Sequence, residues 1–239
     1  MFLENLVLDA ADPQRLGRFW ESALGAHTLT DGAEGFETRL EVPDGPVLDL
    51  CFQPVAQVNA AAPRLHLDLL GGRERDAVVD RLLELGARHL DIGQGEVPWA
   101  VLADPEGHAF CVMEEREAYC DTGPLAAVPV HGDDAERDAA FWASLTGWQP
   151  YDGSAPASLR HPSGRGTILE FFPGAGPKEG KNRLHLDVRL EPGDDSRAVT
   201  ARVVAQGARP VEHDWGDLPW TVLTDPSGNE FCILPARAS

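Results

Sequence analysis

The chain has 239 residues, a net charge of −19 at pH 7 and an ordinary hydrophobic content of 43%. This length allows two modest hydrophobic cores. The acidic balance disfavours nucleic acids and anionic membranes as partners, because a polyanionic surface repels phosphate groups. The first residues lack the pattern of a signal peptide or a membrane span, and the four cysteines form no CxxC pair. We therefore expect a cytoplasmic protein with reduced thiols.

The first elements along the chain predict a βαβββ module. A strand at 3–9 precedes a helix that begins after Asp12 and Pro13, an N-cap carboxylate followed by proline at the first helical position. Apolar residues three and four apart give this helix one buried face, and Gly25 is a typical C-terminal stop. Short strands are predicted to follow at about 27–31, 36–42 and 46–53.

A second module of the same order follows a predicted linker at 56–63. Its first strand is 64–69, and a helix at about 74–85 comes next. The predicted strands after this helix are 87–92, 97–103 and 108–114. The last two strands are joined by Asp104-Pro105-Glu106-Gly107, which has the residues of a type I turn.

The whole pattern occurs twice in the chain. RLHLDL at 64–69 returns as RLHLDV at 183–188, and PWAVLADPEGHAFC at 98–111 returns as PWTVLTDPSGNEFC at 219–232. A shift of about 120 residues is too long for a solenoid repeat and is typical of a whole domain. We predict two domains, 1–116 and 123–239, each an eight-stranded sheet with two helices that curls around a cleft.

These features resemble the vicinal oxygen chelate superfamily, which contains glyoxalases, bleomycin-resistance proteins and extradiol dioxygenases. The resemblance rests on the paired βαβββ modules, the FW…LG helix end, the RLHLDL strand and the DPEGxxFC segment. It covers nearly the whole chain and is nearest to tandem glyoxalase-like domains of actinobacterial type. It implies an α+β fold but no single activity, because the superfamily contains isomerases, epimerases, dioxygenases, thiol transferases and metal-free drug-binding proteins.

Strand alternation indicates which residues face the cleft. In the strand 64–69 the leucines share one face, and His66 and Asp68 share the other. The resemblance implies that the polar face lines the concave side of the sheet and holds the ligand. We expect one cleft to be lined by His66, Asp49, Cys111 and Trp99, and a second by His185, Glu170, Cys232 and Trp220. For the cysteines and tryptophans, burial in the core remains the alternative to ligand contact.

The resemblance also implies where a metal would bind. Metalloenzymes of the superfamily take four ligands from the first and last strands of paired modules. The matching positions are Asn5, Asp49, His66 and Cys111 in the first unit, and Ala127, Glu170, His185 and Cys232 in the second. Alanine cannot bind a metal and an amide is a weak ligand, so we expect no metal and no other cofactor. If a metal is bound, the first candidates are His185, Glu170 and Cys232.

Two functions remain open at this stage. The first is metal-free binding of a small drug or metabolite, and the alternative is a metal-dependent lyase or isomerase of glyoxalase type, with a histidine acting as acid or base. In a third outcome, one unit has lost its site and only supports the other. The equal spacing of the two units predicts a pseudo-twofold relation between them, in a monomer or a homodimer.

Overall fold

The computed structural model describes residues 1–59, 62–212 and 216–237, and the predicted linker at 56–63 contains two residues outside these ranges. Within them the chain forms four successive βαβββ modules. Module 1 contains β1 (Phe2–Ala10), α1 (Pro13–Leu24), β2 (His27–Gly32), β3 (Gly35–Glu41) and β4 (Val47–Pro54). Module 2 contains β5 (Leu67–Gly72), α2 (Arg75–Glu84), β6 (Arg88–His89), β7 (Ala100–Ala103) and β8 (Ala109–Glu114).

The second half repeats this order after a 3₁₀ turn at Glu117–Tyr119. Module 3 contains β9 (Leu125–His131), α3 (Ala135–Thr146), β10 (Gln149–Pro150), β11 (Ala157–Arg160) and β12 (Ile168–Phe172). Module 4 contains β13 (Leu184–Arg189), α4 (Ser196–Ala205), β14 (Arg209–Pro210), β15 (Thr221–Thr224) and β16 (Glu230–Leu234). The predicted α+β fold class is confirmed.

Helix α1 begins and ends where the sequence predicts. The Asp12 side chain accepts a hydrogen bond from the backbone N–H of Arg15, and Gly25 ends the helix in the left-handed conformation with φ 64°. Helix α3 has the same N-cap hydrogen bond at Asp134 and the same left-handed glycine, Gly147, at its end. None of the helices in the described ranges has the length and apolar character needed to cross a membrane.

The sixteen strands form two eight-stranded sheets, and each sheet takes one module from each half of the chain. Sheet A has the order β14-β15-β16-β13-β1-β4-β3-β2 and joins modules 1 and 4. Sheet B has the order β10-β11-β12-β9-β5-β8-β7-β6 and joins modules 2 and 3. The expectation that each half forms its own sheet is therefore wrong. The division of the chain into glyoxalase-like domains at 1–116 and 123–239 stays a prediction.

The pairing of the first strands of the modules explains this arrangement. Strand β1 pairs antiparallel with β13, and β5 pairs antiparallel with β9. Because the two halves carry equivalent strands, β1 could make the same kind of pairing with β5 as with β13. A sequence repeat therefore predicts which strands have matching edges but not which half supplies the partner.

The leucine-rich strand faces lie in the core, as strand alternation predicts. Leu6 and Leu186 of sheet A, and Leu67 of sheet B, belong to one hydrophobic cluster that also takes residues from all four helices. Trp20 and Trp142 are 1% exposed in this cluster, and their indole N–H groups donate to the buried carboxylates Asp104 and Asp225. The opposite faces of both sheets remain for the clefts.

Two arginines at equivalent positions of the repeat form hydrogen bonds between the two halves of the chain. Arg64 Nη1 donates to the carbonyl of Ser227 at 2.8 Å, in the DPSG turn of the second half. Arg183 donates in the same way to the carbonyls of Glu106 and Gly107, both at 3.1 Å, in the DPEG turn of the first half. This reciprocal contact has the form expected of a pseudo-twofold interface.

Candidate ligand-binding clefts

The exchange of modules regroups the residues predicted for the two clefts. Sheet A carries His185, Cys232, Trp220 and Asp49. Sheet B carries His66, Cys111, Trp99 and Glu170. Each sheet thus holds the histidine, cysteine and tryptophan that were grouped together, whereas Asp49 and Glu170 each lie in the sheet opposite to the one expected. The cause is the pairing of modules across the halves.

Three polar side chains meet on the concave face of sheet A. His185 Nε2 lies 3.4 Å from Asp187 Oδ1 and 3.8 Å from Cys232 Sγ. All three residues are buried. Burial, and next the charge of Asp187, raise the pKa of the Cys232 thiol. The thiol is therefore protonated at neutral pH and is not an activated nucleophile.

A cavity of about 500 Å³ opens beside this trio. It runs across the concave face of sheet A from module 1 to module 4. The apolar part of its wall is formed by Val7, Phe36, Trp220 and Leu234, and the polar part includes Asn5, Glu37, Cys51 and His185. A mixed wall with an aromatic face and a few convergent polar groups is typical of small-molecule sites.

Asp49 is held apart from this cavity. Its two carboxylate oxygens accept hydrogen bonds from the Arg39 guanidinium at 2.7 and 2.8 Å, and the residue is 1% exposed. A carboxylate bound at both oxygens by one guanidinium is already satisfied. Asp187, two residues after His185 on the same strand face, takes its place next to the imidazole.

Sheet B carries an equivalent trio. His66 Nε2 lies 3.2 Å from Asp68 Oδ1, and the donor atoms of His66, Asp68 and Cys111 all lie within 4.8 Å of one another. Burial and the neighbouring Asp68 charge raise the pKa of Cys111 too. The two halves have thus kept the same His, Asp and Cys in the same arrangement.

The cleft of sheet B is filled by the segment that connects the two halves, residues 115–124. Tyr119 of this connector is 1% exposed and packs among the apolar side chains of the concave face. Its hydroxyl lies 3.4 Å from both carboxylate oxygens of Glu170. The Arg116 guanidinium lies 5.6 Å from the ring centroid of Trp99 and 5.4 Å from that of Tyr119. Cys111, Trp99 and Glu170, three of the site residues of sheet B, therefore lie around a side chain of the protein itself.

Burial strongly perturbs Glu170. It raises the pKa of this carboxyl to about 7, and repulsion from Asp68 acts in the same direction. The pairing register also shows that Glu170 does not correspond to Asp49. Glu170 lies beside Pro129, whereas Cys51 lies beside Val7 in sheet A. Because Val7 and Pro129 occupy the same position of β1 and β9, Cys51 is the counterpart of Glu170.

Sequence reasoning missed three residues near the clefts. Tyr119 and Arg116 lie in a connector without periodicity, so nothing in the sequence placed them over a sheet. His131 stacks between His66, at 5.9 Å between ring centroids, and Phe172, at 5.3 Å. Its position on the same strand face as Ala127, four residues earlier, was the available signal.

The sequence family described as glyoxalase-like domain matches residues 5–113 and again residues 127–234. The chain belongs to this glyoxalase-like family. Two solved structures share the fold of this glyoxalase-like protein. Glyoxalase I from Zea mays has a TM-score of 0.65 at 16% identity, over 98% of this chain and 92% of that chain. A candidate dioxygenase from Bacillus subtilis has a TM-score of 0.63 at 12% identity, over 100% and 86%. No curated protein matches the sequence.

The sheet A trio of the glyoxalase-like protein fits a divalent transition metal. Histidine, carboxylate and thiolate are zinc-type ligands, and ligand atoms around a tetrahedral zinc ion lie about 3.3–3.7 Å apart. The distances from His185 Nε2 to Asp187 and Cys232 are 3.4 and 3.8 Å. Asn5 Oδ1 is buried nearby without a hydrogen-bond partner in the described ranges. The metal ligands suggested by sequence, His185, Glu170 and Cys232, need one correction. Glu170 lies in the other sheet, and Asp187 lies beside the imidazole in its place.

Proposed function

We propose that this glyoxalase-like protein binds one small organic molecule in the cleft of sheet A. The observation that carries the proposal is the difference between the clefts: a cavity of about 500 Å³ opens in sheet A, whereas Tyr119 fills the corresponding space in sheet B. One site per chain follows, with His66, Cys111 and Trp99 in a supporting role. This proposal corresponds to the third outcome of the sequence analysis, in which one of the two sites has been lost and only supports the other.

Three features support a flat, partly apolar ligand. Trp220 lines the cavity and is 39% exposed, so part of its ring surface is accessible for stacking. The His185 imidazole is buried, and its Nδ1 atom has no hydrogen-bond partner among the described residues. A polar group of the ligand that bonds to this nitrogen would relieve an unsatisfied buried group. The ligand would then be held by the aromatic face and oriented by the imidazole.

The test replaces a lining residue of the cavity with a larger side chain. Cys51 lines the cavity, so Cys51→Phe should occupy ligand space, whereas Cys51→Ser keeps the volume of the side chain. Non-denaturing mass spectrometry of the purified protein, followed by a thermal-shift screen of small molecules, identifies a bound compound. We expect Cys51→Phe to abolish its binding and Cys51→Ser to retain it. Undiminished binding to a folded Cys51→Phe protein would place the ligand elsewhere.

The proposal includes a cytoplasmic, reduced protein that acts as a monomer. Cys51, Cys111, Cys120 and Cys232 form no disulfide, which supports a reducing compartment. The reciprocal arginine contacts support a chain that supplies its own pseudo-twofold partner. Light scattering of the purified protein tests the monomer directly.

The second candidate function is a metal-dependent lyase or isomerase of glyoxalase type, which the fit of the sheet A trio favours. A bound zinc or iron ion would supply Lewis-acid polarisation of a ligand oxygen. His185, Asp187 and Cys232 would hold it, and the thiol would have to lose its proton on binding. Metal analysis after dialysis against a chelator separates the candidates. The first expects no metal, and the second expects one ion per chain that is lost in His185→Ala and kept in His66→Ala.

A further inference from the structure

We infer that the ligand of the sheet A cleft is a planar organic cation, such as an amidinium, a guanidinium or a protonated aromatic amine. The inference rests on the proposed function, because it names the chemical class bound at that same site. It is carried by unsatisfied acceptor atoms, by the distribution of charge around the cavity, and by the side chains that fill the equivalent cleft of sheet B.

The floor of the cleft presents acceptor atoms without donors. Asn5 Oδ1 and Asp187 Oδ1 are both buried and form no hydrogen bond in the ranges that the structure describes, and His185 Nε2 lies 3.4 Å from Asp187 Oδ1. The amide of Asn5 is turned so that its Nδ2 donates to Asp187 Oδ2 at 3.3 Å, which leaves its oxygen available. Buried acceptors are normally satisfied, so this pair calls for a ligand that brings N–H donors.

The charge around the cavity has the matching sign. Asp187, Glu34 and Glu37 line it, and the hydrogen bonds that Glu37 receives from the described residues come from the uncharged Cys51 thiol at 3.2 Å and the Thr30 hydroxyl at 3.4 Å. Arg189 also lines the cavity, but it forms an ion pair with Glu4. The wall thus has three carboxylates and one arginine, and Asp187, the buried one of the three, gains most from a paired charge.

The cation of a neighbouring arginine is likewise tied to an acid. The Arg39 guanidinium binds both oxygens of Asp49, and it acts on Glu37, two residues before it on the same strand, through the attraction of the two charges without a hydrogen bond. Its pKa is raised, first by the hydrogen bond to Asp49. Arg39 is thus paired, and Arg189, the arginine among the lining residues, shares Glu4 with Arg237.

Sheet B shows what such a cleft accepts. There the connector supplies a guanidinium, Arg116, and an aromatic ring, Tyr119, which lie 5.4 Å apart over the concave face. The positive charge of Arg116 acts on Cys111, Glu170 and Tyr119, since it lowers the pKa of each against the larger effect of burial. A guanidinium, paired on its other side with Glu114, and an aromatic ring thus occupy the sheet B cleft from within the chain. In sheet A a ligand would place its cation and its flat surface over the concave face, where Trp220 is available for a cation–π contact.

Three nearly isosteric probes test the inference: benzamidine, which is cationic, benzamide, which is neutral, and benzoate, which is anionic. Isothermal titration calorimetry uses the full chain after dialysis against a chelator. We expect benzamidine to bind at least about tenfold more tightly than either of the others, a difference of about 1.4 kcal/mol. Asp187→Asn and Glu37→Gln should each weaken benzamidine binding severalfold and leave benzamide binding nearly unchanged. Asp68→Asn, the matched change in sheet B, should leave benzamidine binding unchanged.

The outcomes separate this inference from the proposed function. If benzamide or benzoate binds as tightly as benzamidine, and Cys51→Phe abolishes that binding, the cleft binds ligands but the cationic class is wrong. If no probe binds and one zinc ion binds per chain with loss in Asp187→Asn, a metal satisfies the acceptors and the inference fails. If benzamidine binds but Cys51→Phe and Asp187→Asn leave its affinity unchanged, both the inference and the site are wrong.

Discussion

The two clefts of this protein have the same polar trio on the same strand positions and differ in what covers them. In sheet A the trio of His185, Asp187 and Cys232 lies beside an open cavity, and in sheet B the connector packs against Cys111 of the trio of His66, Asp68 and Cys111. A concave sheet face is thus a binding site or a second core according to whether a segment of the chain covers it.

The topology explains why only one cleft is covered. Strands β8 and β9 both belong to sheet B, so residues 115–124 start and finish on that sheet and can cross its concave face. The link from β4 to β5 instead passes from sheet A to sheet B. Among the described residues no equivalent segment therefore lies between two strands of sheet A. The connector gives the halves different roles although their modules are alike.

The largest expected effect comes from emptying the covered cleft. Tyr119→Ala should destabilise the fold by about 3–5 kcal/mol, because it leaves a cavity where a fully buried ring packs. Trp220→Ala, at the 39% exposed ring in the open cleft, should cost about 1 kcal/mol or less. Urea unfolding measures both. Equal costs would mean that the two clefts do not differ in the way described.

Tyr119→Phe is the control for this comparison. It keeps the ring and removes only the hydroxyl, whose 3.4 Å distances to Glu170 indicate weak hydrogen bonds. We expect a cost of about 1 kcal/mol or less. A larger cost would assign the stability of the covered cleft to the polar contact and not to packing.

Sequence reasoning was most successful where a residue pattern acts locally. The N-cap of Asp12, the left-handed Gly25 and the alternation of His66 with Leu67 depend only on neighbouring residues, and they predicted the elements and the polar strand faces. The partner of each strand was not predictable, because β5 and β13 present equivalent edges to β1. The exchange of Asp49 and Glu170 between the clefts follows from that single ambiguity.

The covered cleft should also produce a dependence of stability on pH. The pKa of Glu170 is raised to about 7 in the folded protein, from 4.5. Between these values the unfolded chain binds fewer protons at this residue than the folded chain, so stability falls as pH rises through that window. The free energy of unfolding should fall by up to about 3 kcal/mol. The loss begins above about pH 4 and is complete above about pH 7.

Glu170→Gln should remove most of this dependence of stability on pH. The measurement is the urea midpoint of unfolding of both proteins between about pH 4 and about pH 8. A smaller slope in the same direction should remain, because burial also raises the pKa of Asp225 to about 6. A wild-type slope that Glu170→Gln leaves unchanged would show that Glu170 is ionised at neutral pH beneath Tyr119.

The contacts between the halves offer a comparison in which the two regions should behave alike. Arg64→Met removes the donor to the Ser227 carbonyl of the DPSG turn and to Gly176, and Arg183→Met removes the donor to the Glu106 and Gly107 carbonyls of the DPEG turn in the opposite half. We expect each to cost about 2 kcal/mol, from charge-assisted hydrogen bonds lost at partly buried positions. Urea unfolding of the two variants should give costs within about 1 kcal/mol of each other. A large difference between them would argue against a pseudo-twofold interface.

The smallest effect on stability, and the sharpest contrast in binding, is expected from the histidines. His66→Ala and His185→Ala should each cost about 1 kcal/mol, because neither imidazole belongs to the main core. Leu67→Ala, next to His66 but on the core face, should cost about 2–5 kcal/mol. Only His185→Ala should weaken binding of the sheet A ligand, since His66 lies in the other sheet. If both histidine variants lose as much stability as Leu67→Ala while ligand binding persists, the histidines are structural and the open cleft binds without them.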